Sequence, residues 1–286
     1  MTEYEKIMAS PHVRKNRTTE KEKEMIKLIN GDCLQEMDKL ISQGVTVDAI
    51  ITDPPYGTTD CKWDSVIPFD AMWERLNKLI KPNGAIVLFG SEPFSSALRM
   101  SNIKNYKYDW VWLKSRTTGH LDSKKKPMKC QENISVFYSR QPTYNYECKK
   151  LDKPISSYRK KGKSGSLLGK TNQMIGKFQM ETGFPIQVLS YANEHNVGKN
   201  KHPTQKPVAL MEYLIKTYTN ENELVLDFTM GSGSTGIACV NTNRNFMGIE
   251  KELKYFDISI DRIKKANRDL GFFKHKDFKL NINKEK

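Results

Sequence analysis

The segment Val225-Leu226-Asp227-Phe228-Thr229-Met230-Gly231-Ser232-Gly233-Ser234-Thr235-Gly236 constrains this chain more than any other. An apolar run long enough for a buried strand leads into a glycine-rich turn, and the turn opens a helix. Glycine lets a backbone bend sharply and lets a ligand come close to it. Nineteen residues beyond Gly231 stands Glu250, at the end of the next apolar run, Phe246-Met247-Gly248-Ile249. A carboxylate there can accept hydrogen bonds from both hydroxyls of a ribose. Strand, glycine turn, helix, strand and acid in that order predict an α/β domain that holds an adenosine-containing ligand. The turn lacks the Gly-Lys-Ser/Thr ending of a phosphate loop. Its glycine spacing is not GxGxxG either, so a pyrophosphate dinucleotide is less well matched.

The rest of the chain keeps the same rhythm. Short apolar runs at 26–29, 47–51, 85–89 and 224–226 read as strands, the second interrupted only by Asp48. Leu34, Met37, Leu40 and Ile41 recur at helical spacing, as do Met72, Trp73, Leu76, Leu79 and Ile80 over 69–80. Further helices are expected at 93–100, 208–218, 235–240 and 253–268, and further strands at 106–113 and 134–138. Strands alternating with helices predict a doubly wound, mostly parallel sheet. The rhythm breaks over 114–200, which is rich in Lys, Ser, Gly, Tyr and Asn and reads as an insertion with long loops. Residues 1–24 lack apolar periodicity and read as a loose arm, 25–270 as the α/β domain, and 271–286 as a basic, frayed tail.

Charge narrows the choice of partner. Lys and Arg outnumber Asp and Glu by 47 to 33, a net +14. Between Lys114 and Lys170 there are 15 basic and 4 acidic residues, so this stretch carries +11 of the total. Such concentration fits a polyanionic partner, although a lysine-rich surface kept for solubility has the same composition. The five cysteines, Cys33, Cys61, Cys130, Cys148 and Cys239, form no CxxC pair, so neither a metal site nor a disulfide framework is expected. No apolar run approaches the roughly 20 residues of a membrane span. The polar N-terminus has no signal-peptide core, and the simple expectation is a cytoplasmic protein without a membrane partner.

Three more constellations carry chemistry. Asp53-Pro54-Pro55-Tyr56 ends a buried strand. The prolines fix the backbone and supply no N–H, which leaves their carbonyls as rigid acceptors beside a carboxylate and a flat ring. A planar amine on a base flipped out of its stack suits such a corner; a turn that simply ends the strand is the plainer alternative. His202-Pro203-Thr204-Gln205-Lys206-Pro207 precedes a helix, with Pro207 suited to its start and Lys206 adding a positive charge where a carboxylate is favoured. It would read equally as a linker. Asn30-Gly31-Asp32-Cys33 joins a strand to a helix, and Asp32 can accept from an adenine amino group or cap the helix.

Taken together and in this order, the four elements resemble the amino-group (N6-adenine/N4-cytosine) DNA methyltransferases, in particular the β group, in which the catalytic motif precedes the cofactor motif. The resemblance runs from about Lys27 to Ala266. It implies a Rossmann-like S-adenosylmethionine-dependent methyltransferase fold with a basic target-recognition region inserted at about 114–200. It implies Asp53, Pro54, Pro55 and Tyr56 as the catalytic corner. Cofactor contacts are implied at Asp32, Cys33, Asp53, Lys206, Asp227, Phe228, Thr229, Gly231, Ser232, Gly233, Ser234 and Glu250. Within these, Glu250 would hold the ribose, Asp32 and Cys33 would lie beside the adenine, and Lys206 and the glycine turn would surround the methionine part. DNA contacts are expected at Lys114, Arg116, Lys124, Lys125, Lys126, Lys129, Arg159, Lys160, Lys161 and Lys163, and Trp63 and Asp64 are candidates to cover a flipped base. No metal is expected. The chain departs from the usual Asp-Pro-Phe-x-Gly-Ser-Gly: Phe228 comes one position early and Thr229 takes the aromatic place.

The leading Asp53 favours adenine N6 in double-stranded DNA over cytosine N4, which in this family goes with a leading Ser. Protein-glutamine methyltransferases share a related corner, but with a leading Asn and the cofactor motif first. An RNA methyltransferase and a catalytically inert DNA-binding module are the remaining alternatives. The family contains monomers and homodimers, and enzymes with and without a restriction endonuclease partner.

Overall fold

The computed structural model describes residues 25–58, 64–156, 178–193, 205–269 and 279–284, without the side chains of 25, 149, 151–156, 178–180 and 279. Eleven strands and six α-helices follow one another along these residues. They are β1 (Met25–Asn30), α1 (Cys33–Ser42), β2 (Val47–Thr52), α2 (Phe69–Leu79), β3 (Ile80–Gly90), α3 (Phe94–Ser101), β4 (Tyr106–Thr118), β5 (Lys129–Phe137), β6 (Lys149–Ser156), β7 (Phe178–Thr182) and β8 (Val188–Tyr191), then α4 (Val208–Tyr218), β9 (Leu224–Asp227), α5 (Ser234–Asn241), β10 (Asn245–Glu250), α6 (Leu253–Asp269) and β11 (Lys279–Lys284). Nine strands form one sheet in the order β11-β1-β10-β9-β2-β3-β5-β4-β8, while β6 and β7 make a separate antiparallel pair.

The sheet is buried on both faces, and the two-residue period of each strand sorts its side chains between them. Ala49, Ile51, Ala85, Val87 and Phe89 face one layer, with Leu210, Leu214, Ile237, Phe256 and Ile260 from α4, α5 and α6. Ile50, Ile86 and Leu88 face the other, with Met37, Leu40, Met72, Leu76, Phe94 and Leu98 from α1, α2 and α3. That is why the central strands read as continuous apolar runs rather than alternating ones.

At the middle of the sheet β9 and β2 lie side by side in parallel, Ala49 opposite Val225 and Ile50 opposite Leu226. The chain leaving β2 crosses by the α1–α3 face, and the chain leaving β9 crosses by the α4–α6 face. Crossovers diverging to opposite faces open a crevice at the carboxyl ends of the two strands, where ligands bind in open α/β sheets.

The structure departs from the sequence expectations in two places. The 114–200 stretch is only partly an insertion, since β5 and β8 belong to the main sheet. There β5 runs antiparallel to both β3 and β4, and the β4–β5 hairpin continues past the core to pair Thr118 with Lys129. Its outer part is polar and carries no apolar alternation for a sequence reading to follow. The C-terminal tail, expected to fray, contains β11, which pairs in parallel with all six residues of β1. Leu280 packs against the core. Residues 1–24, expected as a loose arm, lie outside the described residues.

Candidate active site

The two motif-bearing turns meet at the crevice and are tied by hydroxyl groups. Asp227, at the end of β9, accepts from Thr52 Oγ1 and Thr235 Oγ1, each at 2.5 Å, and from the Thr229 amide at 3.1 Å. Thr229 Oγ1 in turn lies 2.7 Å from Thr52 Oγ1 and donates to the Asp53 carbonyl at 3.2 Å. The threonine standing in the usual aromatic position therefore joins the glycine turn to the Asp53 turn, while Phe228 is buried in the core. Burial pushes the Asp227 carboxyl up to about 6, against the pull of its three donors. Both Asp227 oxygens are spent on the scaffold.

Asp53 leaves β2 into the Pro54-Pro55 turn with its carboxylate at the crevice, 24 % of the side chain accessible. One carboxylate oxygen accepts from the Tyr56 hydroxyl and the other from the Lys206 ammonium, both by very short contacts. Burial pushes the Asp53 carboxyl up, and Lys206 pulls against it. The Tyr56 ring leans on Phe94, with centroids 5.1 Å apart and planes inclined by 31°. Lys206 Nζ sits 5.8 Å from the centre of the Tyr56 ring and 5.2 Å from that of Phe89. The loop beyond is closed by Asp64, whose two oxygens accept from the Gly57 and Thr58 amides at 2.9 Å. Trp63, paired with Asp64 in the sequence expectation, lies outside the described residues.

At the other end of the crevice Glu250 is held by backbone amides. Glu250 ends β10 beside Asn30 of β1. It accepts from the Gly231 amide at 2.9 Å and the Glu252 amide at 2.8 Å. Burial raises its carboxyl to about 7. Asp32 is the N-cap of α1, accepting from Leu34 at 3.1 Å and Gln35 at 3.5 Å, with Lys251 3.4 Å from its other oxygen. The capping alternative is thus realised, and Asp32 also faces the cavity. Burial raises the neighbouring Cys33 thiol to about 12, so it is a neutral apolar wall. Gly233, at φ +78°, sits where a Cβ would stand 2.9 Å from the Cβ of Ser259 in α6, so a side chain there would strain the backbone and push α6 away. Ser232 is held by Arg262, which donates to its carbonyl at 2.7 Å and its hydroxyl at 2.8 Å.

One cavity of about 420 Å³ joins both ends, lined among others by Asp32, Asp53, Tyr56, Lys206, Gly231 and Glu250. Its size suits a nucleoside-type ligand. S-adenosylmethionine fits the donor set on one observation in particular. Among the described residues the Glu250 carboxylate accepts from two backbone amides, one at each oxygen, so acceptor capacity remains for a diol.

Among the expected cofactor residues, Lys206 lines the shared cavity together with Asp53 and Gly231. Its ammonium lies on Asp53 and 3.3 Å from Glu132 Oε2, at the catalytic end of the cavity. Glu132, on β5, was not singled out in the sequence, and neither was Arg262. Nothing local marks Glu132, because its partners Lys206 and Lys114 come from other elements. Of the expected DNA contacts, Lys114 is half-turned inward onto Glu132 and Trp112. Lys124 and Lys125 are exposed, and Lys126 pairs with Asp122 at 2.8 Å. Lys129 reaches Ser91 and the Glu92 carbonyl, and the Arg116 amide donates to Asn193. Arg159, Lys160, Lys161 and Lys163, like His202, Pro203 and Thr204, lie outside the described residues. Among the described residues no cluster of three or more His, Cys, Asp or Glu could hold a metal ion, and no helix is long and apolar enough to cross a membrane.

Comparison with known proteins gives a consistent result. Residues 47–261 match the family model described as DNA methylase (N6_N4_Mtase). The chain is 27 % identical over 230 residues to Type II methyltransferase M.HpaI of Haemophilus parainfluenzae, covering 76 % of this chain and 68 % of that one. It is 26 % identical over 277 residues to Type II methyltransferase M2.LlaDCHI of Lactococcus lactis subsp. cremoris, covering 86 % and 91 %. Among solved structures, the M1.HpyAVI–SAM complex is similar with a TM-score of 0.58 and 29 % identity, covering 84 % of this chain and 99 % of that one. The cytosine-N4-specific PvuII DNA methyltransferase shares the fold, with a TM-score of 0.57 at 15 % identity, covering 91 % and 98 %.

Proposed function

Since the chain belongs to the DNA methylase family, the amino-group methyltransferases of DNA, we propose that it transfers a methyl group from S-adenosylmethionine to adenine N6 at a specific site in double-stranded DNA. The observation that carries this reading is the Asp53 carboxylate held on a rigid Pro-Pro turn, in the same cavity as Glu250. The S-adenosylmethionine named in the M1.HpyAVI complex supports the cofactor.

The cofactor supplies a methyl already activated by its sulfonium, so the chain's task is to make a poor nucleophile attack. The lone pair of an aryl amine is delocalised into its ring. Asp53 and the Pro54 carbonyl accept the two amino N–H bonds, which favours a pyramidal nitrogen with its lone pair free. Tyr56, braced by Phe94, offers the flipped base a stacking face. Orientation and fixed acceptors then supply much of the rate. The S–CH₃ bond breaks, the N–CH₃ bond forms and one amino proton leaves during or after transfer; Asp53 need not be a strong base for that. Glu250 holds the ribose. Flipping costs a few kcal/mol, and the basic β4–β5 hairpin offsets it through phosphate contacts at Lys124 and Lys125.

Asp53 as the leading residue favours adenine. A cytosine-N4 enzyme shares the fold, so the product decides. DNA from cells expressing the protein should contain N6-methyladenine within one short sequence, shown by nucleoside analysis and modification-sensitive sequencing. N4-methylcytosine in its place overturns the adenine reading. We place the chain with the restriction-modification methyltransferases, in keeping with the Type II names of its relatives.

A further inference from the structure

Lys206 carries an amine into the corner that the target amine is meant to occupy. Its Nζ donates to Asp53 Oδ2 and lies 5.8 Å from the centre of the Tyr56 ring, so it holds one of the two acceptors assigned above to the base amino group. The other Asp53 oxygen is filled by the Tyr56 hydroxyl. In this arrangement each Asp53 oxygen already has a donor, so an arriving amine competes with the ammonium at Oδ2. Beside it stands a second carboxylate with capacity to spare. Glu132 Oε1 is bound by Lys114, while Oε2 is buried, forms no hydrogen bond and lies 3.3 Å from the same Lys206 ammonium.

We propose that Lys206 is a stand-in for the target amino group, occupying Asp53 in the base-free enzyme, and that Glu132 receives its ammonium when the flipped base arrives. The inference rests on the amino-methyltransferase reading above and deepens it. Two cations, Lys206 and Lys114, face two anions, Asp53 and Glu132, so the cluster is neutral before and after the exchange. An ammonium passing between carboxylates stays paired throughout. Losing one partner outright would leave a buried charge exposed to the full cost of desolvation. The ammonium also opposes the burial that pushes the Asp53 carboxyl up. Burial works to lower the Lys206 pKa, but Asp53 and Glu132 outweigh it and the ammonium is raised above its ordinary value. Glu132 is pushed up by burial and drawn down further by Lys206 and Lys114. The charged and titratable groups facing this corner are Lys206 ahead of α4, Glu132 on β5, Lys114 on β4, Tyr56 and Asp64 in the loop after β2, and Asp227 at the end of β9. Lys206 and Glu132 are positioning residues in this scheme.

The test compares wild type, Glu132→Gln and Lys206→Met on a duplex containing the methylation site found by sequencing. Duplex affinity and single-turnover methyl transfer are followed across pH, with cofactor affinity and thermal stability as controls on folding. In Glu132→Gln the ammonium has no second carboxylate to move to, and duplex affinity should fall about tenfold, equivalent to about 1.4 kcal/mol. In Lys206→Met the corner is vacant, so duplex affinity should hold or rise. Its rate should fall at neutral pH, with the acid limb moving upward by about one unit or more because Asp53 has lost its cation. Opposite movements of duplex affinity are the signature, since general damage to the ion cluster moves both variants the same way. Weaker duplex binding in both, unchanged binding in Glu132→Gln, or an unshifted acid limb in Lys206→Met would overturn the exchange. A wild-type protein that methylates no DNA would instead overturn the underlying reading.

Discussion

The two ends of the cavity handle buried carboxylates in opposite ways. On the cofactor side, Asp227 and Glu250 are satisfied by hydroxyls and backbone amides, and both carboxyls are raised, to about 6 and about 7. On the side proposed for catalysis, Asp53 and Glu132 are paired with the ammoniums of Lys206 and Lys114; burial still raises Asp53, while the two lysines bring Glu132 below its ordinary value. The difference follows what each end receives. In the proposed reading Glu250, with two backbone amides on it and no ammonium, keeps acceptor capacity for a neutral diol. An ionised carboxylate is the stronger acceptor for a neutral amine, and a buried counter-ion opposes the desolvation that would protonate it.

Replacing acids at each end tests this contrast. Asp53→Ala should have the largest effect, lowering methyl transfer by about 10²–10³-fold while leaving cofactor affinity within twofold by calorimetry. If turnover in a cofactor-transfer assay stays normal, the division between the ends is wrong. Glu250→Gln should do the reverse. Cofactor affinity should drop by roughly tenfold, the scale of one lost charged hydrogen bond, with the rate at saturating cofactor little changed. Substituting Lys124 and Lys125 together by Ala touches neither end. It should reduce the slope of log affinity against log salt by about 2, a loss of two phosphate contacts, measured by duplex titration at several salt concentrations.

The smallest effect concerns pH. Glu250 and Asp227 rise from ordinary values of 4.5 and 3.8, so the folded state holds their protons more tightly than the unfolded chain does. Their contribution is fully present below those ordinary values and is lost as pH rises through about 6 and about 7. Melting of the cofactor-free protein should therefore fall by a few degrees between acid and neutral pH, and Glu250→Gln should flatten that fall. A Glu250→Gln melting curve with the wild-type pH dependence would show that Glu250 is not the group responsible.

Features made by contiguous residues were legible in the sequence. The β9–turn–α5–β10 unit, with Glu250 at its end, follows from glycine placement and apolar runs, and so does the Asp53 turn. The long helical periodicities gave α2, α4 and α6 nearly to the residue. Charge pairing across elements was not legible. Glu132 looks like any polar residue of a strand, and only the fold brings it to Lys206. The outer β4–β5 hairpin was missed because a strand pair outside the core needs no apolar alternation. β11 was missed for another reason: Leu280 and Ile282 do alternate with polar residues, but the flanking lysines dominate the composition.

That last strand has a practical consequence. β1 is hydrogen-bonded to β10 on one side and to β11 on the other. A chain shortened to end near residue 270 would keep every residue of the cavity and still leave the outer side of β1 unpaired. Unpaired strand edges template association with another chain. Solubility trouble in such a truncation would then come from a bare edge far from the chemistry.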